Sequence, residues 1–315
     1  MKNKSEKCDL SIVIPLHNEA ENVARLHEKL HASLSPIGKS YEIILVDDGS
    51  TDRTFEILEE IKKNDPLLRV IKFRGNFGQS AATAAGFDLA VGDVIITLDG
   101  DLQNDPADIP RVLQKLDEGY DVVSGWRKSR KDKLLLRKVP SMIANRIICK
   151  VTDVQVHDTG CALKAYRSEI VKRINLYGEL HRFLPALARI EGARIAEMEV
   201  THHPRLFGKS KYNLTRTYKV IMDLMSLHLF IRYLRHPSHF FGVIGATLML
   251  ASIALVAWMA YGMLIRNAPQ EEINNILTIT FLLVATGFQM FFVGLLAELI
   301  VKTGKRRSVY LLDKS

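Results

Sequence analysis

Residues 94–106 read VIITLDGDLQNDP. The run 94–98 is apolar and β-branched, which is typical of a buried strand, and Pro106 stands where the first turn of a helix tolerates proline. Similar runs recur through the first two-thirds of the chain and alternate with segments of helical periodicity. We expect strands at 10–16, 41–46, 69–73, 93–98 and 120–124, and helices near 20–34, 52–63, 79–91 and 106–118. This alternation predicts an α/β domain built on a mostly parallel sheet with helices on both faces.

Polar segments follow four of the expected strands, at residues 15–19, 47–52, 75–79 and 99–101. In sheets of this kind, ligands bind in a crevice beyond the carboxyl ends of the strands. The four segments are therefore expected to line one crevice.

Two of these segments carry paired acids. Asp99 and Asp101 flank a glycine and offer hard oxygen ligands suited to Mg²⁺ or Mn²⁺, which would bridge a diphosphate. Acid pairs also occur in ordinary polar loops, but the position at the crevice favours a metal site. Asp47 and Asp48 could accept hydrogen bonds from a base and a ribose. A turn in which Asp52 caps the next helix is the simpler alternative there.

The C-terminal third is strongly apolar. Residues 240–265 are 26 consecutive positions without a charge, and 276–297 are 22 more. About 20 such residues cross a bilayer, and neither run shows the polar stripe of a long soluble helix. The sequence predicts two transmembrane helices, with buried helices of a soluble core as the alternative.

The basic residues lie next to these apolar runs. The net charge is +8, residues 127–138 hold seven Lys or Arg, and 302–307 hold four more, whereas 267–275 carries only two acids. By the positive-inside rule, both termini face the cytoplasm. Anionic lipid head groups, rather than nucleic acid, are the expected partner of this charge. Three widely spaced cysteines indicate a reducing compartment.

These observations divide the chain into six parts. We expect a cytoplasmic catalytic domain at 1–212 with an amphipathic helix at about 134–151, a second amphipathic juxtamembrane helix at 213–238, transmembrane helices at 239–266 and 276–301, an external loop at 267–275, and a basic cytoplasmic tail at 302–315.

Three further strings point to one family. ITLDGDLQNDP at 96–106, HDTGCALK at 157–164 and GKSKY at 208–212 occur in an order that resembles the inverting GT-A glycosyltransferases of family 2, which include dolichol-phosphate mannose synthase. The paired apolar runs also fit, so the resemblance covers nearly the whole chain. Within that family the chain is most similar to the bacterial bactoprenol glucosyltransferases, which make undecaprenyl-phosphate glucose from UDP-glucose.

The resemblance implies a Rossmann-like GT-A fold, a role for each site residue, and a homo-oligomer, a tetramer as in relatives. The donor nucleotide-sugar would be bound by Pro15, His17, Glu19, Asp48, Gln79, Asp99 and Gln103. Asp101, with Asp99, would hold Mg²⁺ or Mn²⁺. The acceptor and diphosphate would be contacted by Arg127, Arg205, Ser210 and Lys211. The partners would be a UDP-sugar and a polyprenyl phosphate in the inner membrane.

Asp158 matches the position usually assigned as the catalytic base. The acceptor is a phosphate monoester whose second pKa is about 6, so its attacking oxygen is largely ionised at neutral pH. Asp158 could therefore orient the acceptor instead of removing a proton.

Other activities remain open at this point. The sugar could be formamido-arabinose, mannose or N-acetylglucosamine instead of glucose. A processive polysaccharide synthase is a second alternative, but residues 178–185 lack the Q-x-x-R-W motif of such enzymes. A transport or flippase subunit is the non-enzyme alternative, and it would not need Asp99, Asp101 and Asp158 together.

Overall fold

The computed structural model describes residues 7–128, 156–174, 176, 180–204, 237–266 and 268–303. The chain forms two compact units, of which the first contains the described residues up to 204 and the second contains those from 237 onward. The amphipathic helices expected at 134–151 and 213–238 lie outside the described residues, apart from the last two positions of the second.

A seven-stranded sheet forms the centre of the first unit. Its strands are β1 (Leu10–Leu16), β2 (Tyr41–Asp47), β3 (Leu68–Lys72), β4 (Val94–Thr97), β5 (Val122–Trp126), β6 (Lys164–Arg167) and β7 (Ile195–Glu199). The helices around it are α1 (Val23–Leu34), α2 (Thr54–Lys62), α3 (Gln79–Leu89), α4 (Ile109–Asp117), α5 (Ser168–Val171) and α6 (Leu184–Ile190), with 3₁₀ turns at Ser35–Ile37, Pro106–Asp108 and Leu180–Phe183.

The strand order is β3-β2-β1-β4-β6-β5-β7. All strands run in one direction except β6, which is antiparallel to both of its neighbours. The predicted α/β class and mostly parallel sheet are therefore confirmed. The five expected strands are present, but β6 and β7 were not expected.

The sheet is covered on both faces because successive side chains of a strand point to opposite sides. In β1, Ile12 and Ile14 belong to the apolar cluster that includes α1 and α4. Val13 belongs instead to the cluster that contains Phe87 of α3 and Tyr166 of β6. These two apolar layers fix the sheet and leave its carboxyl edge to the polar loops.

The second unit contains two long apolar helices, α7 (Pro237–Leu264) and α8 (Gln270–Thr303), each long and apolar enough to cross a membrane. They pack closely at two glycines, since a Cβ on Gly245 would lie 2.9 Å from the carbonyl oxygen of Gly287. The hydroxyl of Ser238 also donates to Glu298 Oε2 at 2.9 Å. Helix α8 begins six residues before the expected boundary, because the polar residues after Pro269 continue the helix beyond its apolar run.

Candidate active site

The crevice lies where the strand order changes direction. From β1 the chain proceeds to β2 and β3 on one side, and then crosses to β4 on the other side of β1. This is the switch point at which such sheets bind ligands. The loop that follows β4 contacts the end of β1 and the loop after it, since a Cβ on Gly100 would collide with the side chain of Leu16 and lie 3.6 Å from Cγ of Glu19. Pro15, the last expected site residue within β1, pairs in register with Val46 of β2.

Asp99 and Asp101 lie together just beyond β4. The amide of Gln79, at the start of α3, donates to Asp99 Oδ1 at 2.7 Å. The backbone N–H of Gln103 donates to Asp101 Oδ1 at 3.1 Å. Burial, followed by the negative charge of Asp101, raises the pKa of Asp99 to about 6. Two carboxylates in this proximity destabilise each other's charged forms.

A divalent cation fits this acid pair. The carboxylates offer the oxygen ligands that Mg²⁺ and Mn²⁺ prefer, and a cation would remove the repulsion that raises the pKa of Asp99. Among the residues that the structure describes, the cluster of three metal-ligand side chains lies elsewhere, at His27, His31 and Asp65. A donor-metal site at Asp101 and Asp99 stays a prediction, and this other cluster does not belong to it.

The loops after β1 and β2 shape the part of the crevice where a nucleoside is expected. His17 Nδ1 donates to the carbonyl oxygen of Asp48 at 2.9 Å. Glu19 Oε2 accepts from the side-chain amide of Asn22 at 2.6 Å. Asn18 has a φ of +58°, which its side chain stabilises by accepting from the backbone N–H of Thr51 at 2.8 Å.

Asp48 ties this loop to the one after β3. Its Oδ1 accepts from the backbone N–H of Phe77 at 2.7 Å, and its Oδ2 accepts from that of Gly78 at 2.9 Å. Gly49 allows the close approach, since a Cβ there would lie 2.7 Å from the carbonyl oxygen of Gly75. Asp48 thereby positions Gln79, which in turn bonds Asp99.

We expect Asp48→Ala to destabilise the first unit. Hydrogen bonds to charged groups contribute about 1.5–3 kcal/mol each, so losing two would lower the free energy of unfolding by about 3 kcal/mol. That loss corresponds to a Tm lower by about 6–12 °C in thermal unfolding of the detergent-solubilised protein. Asp88→Ala, which removes an exposed carboxylate from α3, is the control and should leave Tm unchanged. An unchanged Tm in Asp48→Ala with a raised KM for the donor would instead assign Asp48 to nucleoside binding alone.

Arg127 and Asp158 form a buried ion pair beyond the end of β5, and the charge of Arg127 acts on Asp99. Arg127 follows β5 and donates through Nε to Asp158 Oδ2 at 2.7 Å and through Nη2 to Oδ1 at 2.9 Å. Only 12% of each side chain is exposed. Burial alone would raise the pKa of Asp158, but the hydrogen bonds and charge of Arg127 outweigh it and hold that pKa below its ordinary value. Asp158 is therefore a carboxylate at neutral pH, and its charge is already paired.

Two residues that the sequence did not single out support this pair. Glu197 of β7 accepts from the backbone N–H groups of His157 at 2.8 Å and Asp158 at 3.0 Å. Lys164, at the start of β6, is 3% exposed and donates to the carbonyl oxygens of Thr159, at 3.1 Å, and Cys161. Burial lowers the pKa of Lys164, and Asp158 and Asp99 are among the charges that act on it. The sequence around Lys164 does not indicate that this side chain is buried.

The remaining predicted site residues divide into two groups. Gln103 is connected to the segment after β7, because its carbonyl oxygen accepts from the backbone N–H of His203 at 2.8 Å. Arg205, Ser210 and Lys211 lie outside the described residues. Their contacts with phosphate stay a prediction.

Comparison with known proteins points to one family. The model of glycosyl transferase family 2 matches residues 11–174. The chain is 42% identical over 304 residues to dodecaprenyl-phosphate galacturonate synthase of Rhizobium johnstonii, covering 95% of this chain and 89% of that protein. It is 37% identical over 295 residues to undecaprenyl-phosphate 4-deoxy-4-formamido-L-arabinose transferase of Pectobacterium atrosepticum, covering 93% and 88%.

A solved structure supports the fold. The crystal structure of glucosyl-3-phosphoglycerate synthase from Mycobacterium tuberculosis, in complex with Mn²⁺ and UDP-glucose, superposes with a TM-score of 0.51. It is 18% identical and covers 71% of this chain and 79% of the other. This likeness confirms the expected GT-A fold of the first unit.

Proposed function

We propose that this chain, which belongs to glycosyl transferase family 2, transfers a single sugar from a UDP-sugar to a polyprenyl phosphate at the membrane. The observation that carries the proposal is the meeting of an acid pair, Asp99 and Asp101, with the Arg127–Asp158 ion pair at the switch point of the sheet. The first pair suits a metal-bound diphosphate, and the second suits a phosphate acceptor. The two similar proteins named above both carry a polyprenyl phosphate in their names, which supports the acceptor.

The side chains of the crevice divide the work of the transfer. His17, Glu19 and Asp48 would receive the base and ribose, and Gln79 and Asp99 would hold the ribose or sugar. Mg²⁺ or Mn²⁺, held by Asp101 with Asp99, would supply stabilisation of the charge on the departing diphosphate.

Arg127 would bind the acceptor phosphate, because a guanidinium offers several N–H donors in a plane that matches phosphate oxygens. An acceptor oxygen then forms the new bond to the anomeric carbon while the bond from that carbon to UDP breaks. No covalent sugar–enzyme intermediate is involved, so the configuration of the sugar inverts.

For the sugar itself, we propose galacturonate, on the strength of the 42% identity along 95% of the chain. Glucose, the donor expected from the motifs, is the second candidate. A uronate carboxylate would need a cationic partner, and Arg127 would supply one.

A donor panel tests the proposal. Detergent-purified protein is incubated with undecaprenyl phosphate, Mg²⁺ or Mn²⁺, and radiolabelled UDP-galacturonate, UDP-glucose or UDP-formamido-arabinose, and the lipid extract is separated by thin-layer chromatography. We expect one lipid-linked monosaccharide, with the highest kcat/KM for UDP-galacturonate and an inverted anomeric configuration by NMR. A preference for UDP-glucose would show that glucose, the second candidate, is the transferred sugar. Polymer would support a processive synthase, and no incorporation with any donor would support a transport subunit.

We also propose an arrangement in the membrane. Helices α7 and α8 would cross the inner membrane, with the catalytic unit and both termini in the cytoplasm, as the charge distribution indicates. Their large exposed apolar side chains, such as Phe281 at 70% and Phe292 at 65%, exceed what a helix pair in water would leave uncovered. Lipid and further copies of the chain, in a homo-oligomer, would cover them.

A further inference from the structure

A second group of ligand-type side chains lies at the opposite end of the sheet. His27 and His31 are four residues apart on α1 and therefore share one face of that helix. Asp65 lies in the connection between α2 and β3 and is 8% exposed. One ligand atom from each of the three converges within a radius suited to a metal ion.

This cluster is separate from the crevice. Tyr41, the first residue of β2, contacts His31, and Asp65 lies three residues before β3 begins. Both positions mark the amino ends of strands, whereas the donor site lies beyond the carboxyl ends. The cluster therefore cannot supply a ligand to the ion expected at Asp101.

The three atoms form a nearly equilateral triangle. His27 Nε2 lies 2.8 Å from Asp65 Oδ2, His31 Nε2 lies 2.9 Å from the same oxygen, and the two Nε2 atoms are 3.1 Å apart. An ion bonded to all three at about 2.0–2.2 Å would hold its ligands about 2.8–3.6 Å apart at angles between octahedral and tetrahedral. The observed distances lie at the lower edge of that range.

Hydrogen bonds alone satisfy this triangle poorly. Each Nε2 carries at most one proton, so both imidazoles can donate to Asp65 Oδ2, but two N–H groups then face each other across 3.1 Å. If one Nε2 is deprotonated, its lone pair instead faces the carboxylate oxygen. A cation satisfies all three lone pairs at once.

We propose that His27, His31 and Asp65 bind a transition-metal ion of the Zn²⁺ class, with water completing the coordination. Two imidazoles and one carboxylate suit Zn²⁺ or Co²⁺ better than Mg²⁺, which prefers oxygen alone. The ion joins α1 to the connection between α2 and β3 and thereby stabilises the amino edge of the sheet. Tyr41 acts as a positioning residue, because its hydroxyl is hydrogen-bonded to His31 Nδ1 at 2.9 Å and fixes the ring.

Binding of Zn²⁺ alone tests the site, with no dependence on the sugar-transfer proposal. The full-length protein carrying Asp101→Asn, which removes the expected donor metal, is freed of metal with a chelator and titrated with Zn²⁺ by calorimetry. We expect one ion per chain. His27→Gln, His31→Gln or Asp65→Asn should weaken binding at least about 100-fold, and Tyr41→Phe about 10-fold, since supporting hydrogen bonds to a ligand tune its affinity by about 10–100-fold.

His203→Gln is the matched control. His203 Nε2 bonds Asp105 Oδ2 at 2.7 Å, which is a histidine–aspartate pair with one imidazole instead of two. This variant should bind Zn²⁺ like its parent, and Zn²⁺ should raise Tm in both but not in His31→Gln. Tyr41→Phe keeps the test independent of folding, because it removes one hydroxyl and no ligand. Equal Zn²⁺ affinity in parent and His31→Gln, or no binding by the parent, would overturn the proposal.

Discussion

Replacing Asp101 by Asn should lower kcat/KM about 10³-fold, since a metal that neutralises a leaving diphosphate contributes several kcal/mol and each 1.36 kcal/mol is about tenfold in rate. Asp101 is the acid that the motif assigns to the metal, and it is 7% exposed beside Asp99. The amide keeps an oxygen that can accept the hydrogen bond from the backbone N–H of Gln103. The variant should therefore fold. The loss of kcat/KM should appear in steady-state transfer assays at every Mg²⁺ or Mn²⁺ concentration. The same loss is expected for Asp101→Ala.

Asp105→Asn is the matched control for this change. Asp105 lies four residues along the same loop, but its carboxylate accepts from Ala107 N and pairs with His203, away from the acid pair. Asn keeps a side-chain oxygen that can accept from the same groups and is itself a favoured capping residue, so kcat/KM should stay within about threefold of the unmodified protein. If Asp101→Asn kept near-normal activity and still required a divalent metal, the metal would bind elsewhere.

The first strand was predictable because the pattern that indicates it lies within its own residues. The strand at Leu10–Leu16 coincides with the expected one residue for residue, since a run that is apolar except for Ser11 and is bounded by polar residues is decided by its own composition. Strand β6 was missed for the opposite reason. Its four residues, KAYR, include two basic side chains, and pairing with β4 and β5 decides their conformation.

The contacts between the site residues could be identified only from the fold. The sequence identified Arg127 and Asp158 separately, but nothing in it showed a bidentate pair across 31 positions. The burial of Lys164 likewise arises from packing between β4 and β5. The same holds for Asp65, which meets His27 across 38 positions and has no motif around it.

Asp158→Asn should lower kcat/KM for the lipid acceptor about 10²-fold, because the charge-assisted hydrogen bonds that orient Arg127 are worth about 1.5–3 kcal/mol each. On this account Asp158 acts through Arg127, so the two residues form one unit. Arg127→Gln should cost a similar factor, and the double variant should be no worse than either single one. If the fold-losses in kcat/KM of the two single variants multiply in the double variant, Asp158 acts independently of Arg127, as a base would. Circular dichroism must show all three variants folded, since an unpaired buried charge can also destabilise the protein.

The pH dependence of transfer gives a second, independent test of the same assignment. Because Arg127 holds the pKa of Asp158 below its ordinary value of about 3.9, the carboxylate is ionised throughout the range from pH 5 to 9. Any stability it contributes is present above that ordinary value and is lost only as the pH falls through the lower folded value, so it does not change in the assay range.

The acceptor phosphate, with a second pKa of about 6, does change its charge in the assay range. At a saturating metal concentration, the charge of the cation lowers the pKa of Asp99 from its metal-free value of about 6, so the acceptor phosphate sets the acid limb of kcat/KM. That limb should therefore lie near pH 6 and stay in place in Asp158→Asn, while the plateau falls. A polyprenyl phosphorothioate, whose second pKa is lower, should move the limb to lower pH. If the acid limb disappears in Asp158→Asn and the phosphorothioate does not shift it, Asp158 is the catalytic base.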